Sequence, residues 1–403
     1  MPLNKISISV LICVLFFISL NSSAQEKSEK IISSLNELVN PIKTLNADSS
    51  FEDLLFLKEP LKEKEVIALG EVTHGTREVF DYKDRLVRFL VISLAYKAIA
   101  FESDFIALEK IDDYINGKIA VLGNLSGTPL HLNNVKMIEW LKKYNLSQSD
   151  ENKVHVYGLE ARGFNNISAK ILEQFTDLDI NDKKTLEKFK ATSYTDLKKD
   201  DINLIKKTIE NLRKVNASAM QQHYVNLLAQ NVDYFHEKKI GLRDEYMSKN
   251  ATWIKEKTSN NKLIVWAHNG HVAKTALYNE PSMGTFLFEK YKSKYFVIAT
   301  DFNYGEVLVR KYIAKNKPIG DFSPLYYPEV TSDKAYEYYF KQCKYKNFII
   351  DINSSIKNPI LNTFFNQAQD MRMIGATSTP VNKKLSIGAN FDLIVYFDKS
   401  TSS

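Results

Sequence analysis

The chain has 403 residues, of which 44% are hydrophobic and 25% charged, with a formal net charge of +6. These are the proportions of an ordinary globular protein. A charge this mild over this length gives no footprint for nucleic acid or an acidic membrane surface.

The chain opens on Met1–Lys5 with one positive charge, continues through an apolar stretch from Ile6 to Leu20, and then reads "NSSAQ". Ser22 and Ala24 stand at the small-residue positions of a cleavage site, so the layout predicts a secretory signal peptide over 1–24. The apolar stretch falls short of the roughly 20 residues that a membrane span needs. Bulky Leu11 and Ile12 before Cys13 argue against a lipidation site there. The expected product is an exported, periplasmic or secreted body over 25–403, with no stable membrane insertion after cleavage; an uncleaved anchor is the alternative. Loss of Lys5, with no acid among residues 1–24, lowers the net charge from +6 to +5. Cys343 is then the single cysteine, which rules out an intramolecular disulfide. Its setting, "KQCKYK", has no nearby histidine and reads as a buried or idle thiol.

Short apolar, β-branched runs recur along the body: "EVIALG" at 65–70, "KAIAFE" at 97–102, "VHVYGLE" at 154–160, "KLIVWAHN" at 262–269, "YFVIATDF" at 295–302, "NFIIDI" at 347–352 and "FDLIVYF" at 391–397. Helical periodicity separates the early ones; Val79, Tyr82, Leu86, Phe89 and Leu90 share one face. Such alternation predicts an α/β fold with a mainly parallel central sheet flanked by helices. Residues 166–258 are lysine-rich and helical throughout, and read as an inserted all-helical subdomain covering the cleft. Asp81–Arg85 and Asp84–Arg88 have the spacing of i,i+4 pairs on a helix face. Glu78 suits the positive first turn of that helix.

The chemistry-bearing residues stand at one repeated place. Glu71 and His74 follow the first run, Glu102 closes the second, Glu160 closes the third, and His268, Asn269 and His271 close the fourth. In an open parallel sheet these ends face a single crevice, where ligands bind. A carboxylate at the end of a buried strand must be paired or its pKa rises. A histidine from a neighbouring strand end would satisfy it and gain base strength. His131, His155, His223 and His236 have no such partner in the sequence, and core or surface roles suffice for them. No G-x-S-x-G, G-x-x-x-x-G-K-[ST], G-x-G-x-x-G or CxxC stretch occurs, which removes serine-elbow, nucleotide and zinc-ribbon readings.

In this order, "GEVTHGTREVFDYKDRLVRFLV", "AFES", "YGLEARG", "GLRDEYMSKN", "VWAHNGHV" and "SMGTFL" resemble the erythromycin esterase family, from about residue 60 to the end. The resemblance implies a cofactor-free carboxylic ester hydrolase whose substrate is a small-molecule ester or macrolactone. An imidazole matching His74 would take a proton from water, without a covalent intermediate. Glu71 and Glu102 match carboxylates beside it, and His268 a second histidine that orients the water or stabilises an oxyanion; His271 matches the last histidine of the motif. Arg243 and Asp244 fit the family's "RDxxM" stretch, either lining the cleft or capping a helix. The sequence departs from the antibiotic-inactivating pattern at Lys83, where those members carry an arginine whose planar fork lysine lacks, and at Glu160, where many have aspartate. Two other readings use the same residues: a metal-dependent hydrolase with Glu71, His74, Glu102, His268 and His271 as ligands, and an exported protein that binds a ligand or haem without turnover. Oligomeric state is left open.

Overall fold

The computed structural model describes residues 25–123, 135–193, 196–237, 239, 241–314 and 317–402. The signal peptide expected over 1–24, and His131, lie outside the described residues.

A helical stretch over 25–38 precedes a two-residue strand β1 (Asn40–Pro41); after short helical turns over Glu52–Leu61 come β2 (Val66–Glu71), the helix α1 (Arg77–Leu94) and β3 (Ala98–Asp104). Next come α2 (Phe105–Ile115), α3 (Val135–Leu146) and β4 (His155–Glu160). Five helices then follow in succession: α4 (Phe164–Gln174), α5 (Ile180–Ala191), α6 (Lys199–Leu212), α7 (Ala219–Glu237) and α8 (Leu242–Lys257). The chain returns to the sheet with β5 (Leu263–His268), makes the short α9 (Asn269–Val272) and α10 (Met283–Tyr291), and enters the long β6 (Tyr295–Ala314). The strands β7 (Lys317–Tyr327), β8 (Asn347–Asp351), β9 (Gln369–Arg372), β10 (Asn382–Leu385) and β11 (Leu393–Ser400) complete it.

The main sheet runs in the order β1-β8-β11-β6-β2-β5-β3-β4. From β11 to β4 every neighbouring pair is parallel. The β2→β3 crossover runs one way along the sheet and β5→β6 the other, so the strands reverse direction of travel around β2, as in doubly wound folds. The expected mixed α/β architecture with a central sheet flanked by helices is what the chain adopts. All seven apolar runs are strands of it.

Periodicity did not reveal the edges. β8 pairs antiparallel with β11, and β1 with β8. β6 continues beyond Phe302 and bends away to form a hairpin with β7. β7 carries Pro318 and Pro324, residues that a strand tolerates at an edge, where no ladder donor is needed.

Alternate strand positions feed two cores. Ile67, Leu69, Ile99, Phe101, Ile264 and Trp266 pack beneath α1, whose Val79, Tyr82, Leu86, Phe89 and Leu90 are all buried as the periodicity required. On the other face Ala68, Ala98, Ala100 and Ala267 present small side chains to the layer that includes α4 to α8. Cys343 is buried, and burial pushes its thiol up to about 12. No helix among the described residues is long and apolar enough to cross a membrane.

One expected helix pair forms and one does not. Arg88 binds Asp84 at 2.8 Å. Arg85 instead reaches Asp53 at 2.6 Å and the Ser50 carbonyl, while Asp81 lies 3.7 Å from Arg77. Arg85 sits wholly inside, where the half-buried Asp81 four residues away does not pair with it, and the segment before β2 supplies a more deeply buried acid. Removing one member of such a pair strands the other, at a cost of about 3–5 kcal/mol. Asp53→Ala should therefore lower urea-measured stability by that amount, and Asp53→Ala with Arg85→Met by much less. Equal losses in the single and double variants would show that the pair carries no such energy.

Candidate active site

The strands β2, β5, β3 and β4 lie side by side, so Glu71, His268, Glu102 and Glu160 reach the same edge of the sheet. Glu71 is directly in register with His268. The β3–β4 register slips between Phe101 and Asp104, the kind of irregularity that re-aims side chains near sites. Two glycines bracket the first corner because neighbours press on their backbone. A Cβ at Gly70 would strike the amide oxygen of Asn269, and one at Gly75 the backbone of Leu308 in the β6 extension.

Glu71 is the hub of one half of the site. One carboxylate oxygen accepts from Nδ1 of His74 at 2.7 Å. The other accepts from Nζ of Lys83 at 2.7 Å and from the Trp266 indole at 2.7 Å. Burial alone would raise this carboxyl; the charge of Lys83 and the contact with His74 outweigh it and hold the pKa at about 2. Lys83 comes from α1, stands 4.0 Å from the Trp266 ring centroid, and is pulled down to about 8 by burial despite Glu71. For His74, burial opposes the charge, yet Glu71 and then Glu102 lift its pKa above the ordinary value. Its Nε2 makes no hydrogen bond among the described residues, and its side chain keeps 20% exposure.

Arg243 is the hub of the other half. From the first turn of α8 it grips Glu160 through Nε and Nη2, both at 2.9 Å. Nη2 also reaches Glu102 at 2.8 Å and Nη1 reaches Nε2 of His271 at 2.9 Å. Arg162 forks onto Glu160 from the opposite side at 2.8 and 2.6 Å. Burial works against ionising Glu102, and His271, Arg243 and His74 together hold it well below its ordinary value. Glu160 is likewise lowered, by Arg243 and Arg162 against burial. Asp244 accepts from Nδ1 of His271 at 2.7 Å and from the Met283 amide at 2.9 Å. With Nδ1 donating and Nε2 accepting from Arg243, the His271 ring is neutral in this arrangement. Burial favours that state, but Glu102 and Asp244 raise its pKa above the ordinary value.

His268 stands between the halves, its ring centroid 5.6 Å from that of His74 and 6.3 Å from that of His271. Its backbone amide donates to Glu102 at 2.9 Å. Nδ1 accepts from the Gly270 amide and Nε2 donates to the Ile374 carbonyl, both at 3.1 Å. Burial, then the neighbouring imidazoles, bring its pKa down to about 4. The ring is thus a neutral, fully engaged one.

The structure brings together His74, Glu71, Lys83, Glu102, His268, His271, Glu160, Arg243 and Asp244. Asn269 is different: buried, it donates to the Thr300 carbonyl at 2.8 Å and ties β5 to β6 from inside the sheet. Of the two roles open to Arg243 and Asp244, both face the cluster while starting a helix. Trp266, Arg162 and the Ile374 carbonyl were not singled out from the sequence. Strand alternation puts Trp266 on the same face as His268, which is the one signal that pointed there. Glu78, besides opening α1, accepts from the Thr401 amide and hydroxyl at 2.8 and 2.6 Å, so β11 fastens the loop after His74. No three His, Cys, Asp or Glu groups among the described residues are placed to hold a metal ion; within the cluster Glu71 faces Lys83, and Glu102 and Glu160 face Arg243. A cavity of about 390 Å³ adjoins the cluster, walled by Glu160, Arg162 and Arg243. A larger one, about 670 Å³, lies elsewhere, beside Lys27, Asp370 and Lys384.

A doubly wound α/β protein with imidazoles and cation-paired carboxylates at the carboxyl edge of its parallel strands is the class that fold and site define. The sequence model of the erythromycin esterase family matches residues 93–400, and the chain belongs to that family, which makes it a hydrolase of ester bonds acting on a small-molecule substrate. Glu71, His74 and Lys83 precede the matched stretch. The putative hydrolase YbfO of Bacillus subtilis is 24% identical, over 73% of this chain and 77% of its own. An erythromycin esterase type II of Escherichia coli is also 24% identical, over 59% of this chain and 67% of its own. Among solved structures, an erythromycin esterase mutant in its open conformation superposes with a TM-score of 0.69 at 15% identity, covering 90% of this chain and 98% of that one, a likeness of fold.

Glu71 offers a direct test of these electrostatics. Its folded pKa of about 2 lies below the ordinary 4.5. It therefore contributes stability that is complete above about pH 4.5 and is lost as pH falls towards 2. Glu71→Gln should flatten the fall of urea-measured stability across that window by up to about 1.4 kcal/mol per pH unit. An unchanged slope would mean that the carboxyl is not held ionised.

Proposed function

We propose that the protein hydrolyses an ester or lactone by direct attack of water, with His74 as the general base. The observation that carries this reading is the state of the three imidazoles. His268 and His271 have both ring nitrogens engaged, whereas His74 is anchored at Nδ1 by a carboxylate and presents an unengaged Nε2 at a partly exposed position. That is the arrangement of a base oriented by an acid, and Glu71 and Glu102 raise its basicity.

In this scheme water gives a proton to Nε2 of His74 while its oxygen bonds to the carbonyl carbon. The tetrahedral oxyanion lies towards Arg243, whose guanidinium is still partly exposed. The carbon–oxygen bond to the leaving group then breaks, and the imidazolium returns the proton to the departing alkoxide. Glu71 holds the tautomer of His74, and Lys83 and Trp266 hold Glu71. His268, with its nitrogens committed to backbone groups, keeps the Gly270 turn and the Ile374 segment in place and walls the water site; of the two roles the resemblance implies, orienting the water or stabilising the oxyanion, this reading takes the first.

The substrate we assign is a bulky ester or lactone, the macrolide type included, because a family model and a relative carry that name. Further parts of the proposal are that residues 166–258 form an inserted helical subdomain over the cleft, supported by Arg243 and Asp244 entering the site from α8, and that the body is exported, supported by the amino-terminal pattern. The reading needs no metal, since the carboxylates are committed to lysine and arginine.

Incubation with fourteen- and sixteen-membered macrolides and simple aryl esters, followed by mass spectrometry, should show addition of one water to at least one compound, before and after prolonged dialysis against EDTA. His74→Ala should lower kcat by about 10²–10⁴-fold. No hydrolysis anywhere in the panel, or a His74→Ala variant as fast as the parent, contradicts the assignment. The pH profile gives a finer check. Because His74 is raised and must be neutral to act, kcat/KM should rise through a pKa above 6.5. Lys83 pulls that pKa down, so Lys83→Met should move the acid limb to higher pH; a limb that stays put would remove Lys83 from the account.

A further inference from the structure

The cavity beside the cluster has a composition of its own. Its volume of about 390 Å³ lies within the range of small-molecule pockets, roughly 300–1,000 Å³. Tyr234 and Phe235 from the end of α7, with Tyr246 and Met247 from α8, give it an aromatic and thioether wall. Tyr234 and Phe235 stand edge to face, their centroids 5.2 Å apart. Tyr246 is fixed by its hydroxyl, which donates to Asp233 at 3.1 Å. Gln230, also in the lining, is locked in a two-way amide pair with Asn250 at 2.9 Å, so its amide is committed.

Arg162 supplies uncommitted donors to the lining. Its Nε and Nη2 serve Glu160, and its Nη1 has no hydrogen-bond partner among the described residues. With both Glu160 oxygens shared between Arg162 and Arg243, local charge is close to balanced. What is left at Nη1 is a pair of N–H donors rather than an unscreened cation. Arg243 joins this cavity to the chemistry: it lines the cavity and also binds Glu102 and His271. A group seated here would have one end against aromatic rings and the other beside Arg243, which also touches Glu102 and His271.

We propose that this cavity receives the non-reacting part of the ester and favours one that is an aromatic ring carrying a neutral oxygen acceptor read by Arg162. The inference rests on the hydrolase reading for its catalytic consequence and on the cavity alone for binding. Rings pack edge to face or offset on aromatic walls, whereas a flexible alkyl chain gains no such geometry and pays rotamer entropy on ordering.

The test separates the two readings. A non-hydrolysable probe, 4-methoxybenzamide, is titrated into the full chain by calorimetry against hexanamide. Turnover of 4-methoxybenzyl acetate, the aryl ester of this comparison, is set against that of hexyl acetate, so that both release a primary alcohol. The benzamide should bind at least tenfold tighter than hexanamide, and the aryl ester should have the higher kcat/KM. Phe235→Ala and Arg162→Met should each weaken benzamide binding about tenfold and raise the aryl KM more than they lower kcat. Ala161→Phe, which fills the cavity rather than emptying it, should abolish the preference, with thermal melts checking that each variant folds. Equal binding of the two amides, or variants that bind the benzamide as the parent does, overturns the cavity assignment even if esters are hydrolysed. Selective benzamide binding with no ester turned over leaves the cavity standing and overturns the hydrolase mechanism.

Discussion

Three carboxylates buried at the ends of parallel strands are the constraint on which the rest of this molecule depends. Glu71, Glu102 and Glu160 leave water almost completely, and an ionised carboxylate in such a place is untenable without a cation beside it. The fold supplies those cations from opposite faces of the sheet. Lys83 comes from α1, beneath one face, and Arg243 from α8, over the other. Each helix is thereby tied to the sheet edge by charge as well as by its apolar face, and the two layers that sandwich the sheet meet at the site.

The same constraint sorts the imidazoles. Histidines beside ionised carboxylates gain a proton more readily, and histidines beside other imidazoles in a buried place lose it. His74 and His271 fall in the first group and His268 in the second. Three histidines within a short span of one another thus have different jobs without differing in residue type. One is anchored by an acid with a nitrogen to spare, one is locked between acid and guanidinium, and one is a neutral strut between backbone groups. The division is a product of placement.

Much of this was readable before any coordinates. Near-continuous apolar runs ending in Glu or His imply a parallel sheet with a polar edge, and the sheet order puts those ends side by side. Periodicity could not foresee contacts made by backbone or by residues whose side chains look like core. Trp266 reads as a packing residue until its indole N–H is seen on Glu71. The Ile374 carbonyl that engages His268 has no side-chain signature at all. Arg243 is 141 residues from Glu102 in the chain, and family likeness offered Arg243 a place at the cleft but not this pairing. Arg85 has an acid at helical spacing and does not use it, because the segment before β2 offers a more deeply buried one. β7 was missed because its prolines are breakers everywhere except at a sheet edge.

Nitrogen-15 NMR of the histidine side chains measures the central claim with no substrate required. The account predicts that neutral His74 carries its proton on Nδ1 and titrates above 6.5, while His268 keeps its proton on Nε2 and stays neutral down to about pH 4. A His74 ring protonated at Nε2 when neutral, or a His268 that titrates like a histidine in water, would contradict the assignment of the base and with it the mechanism.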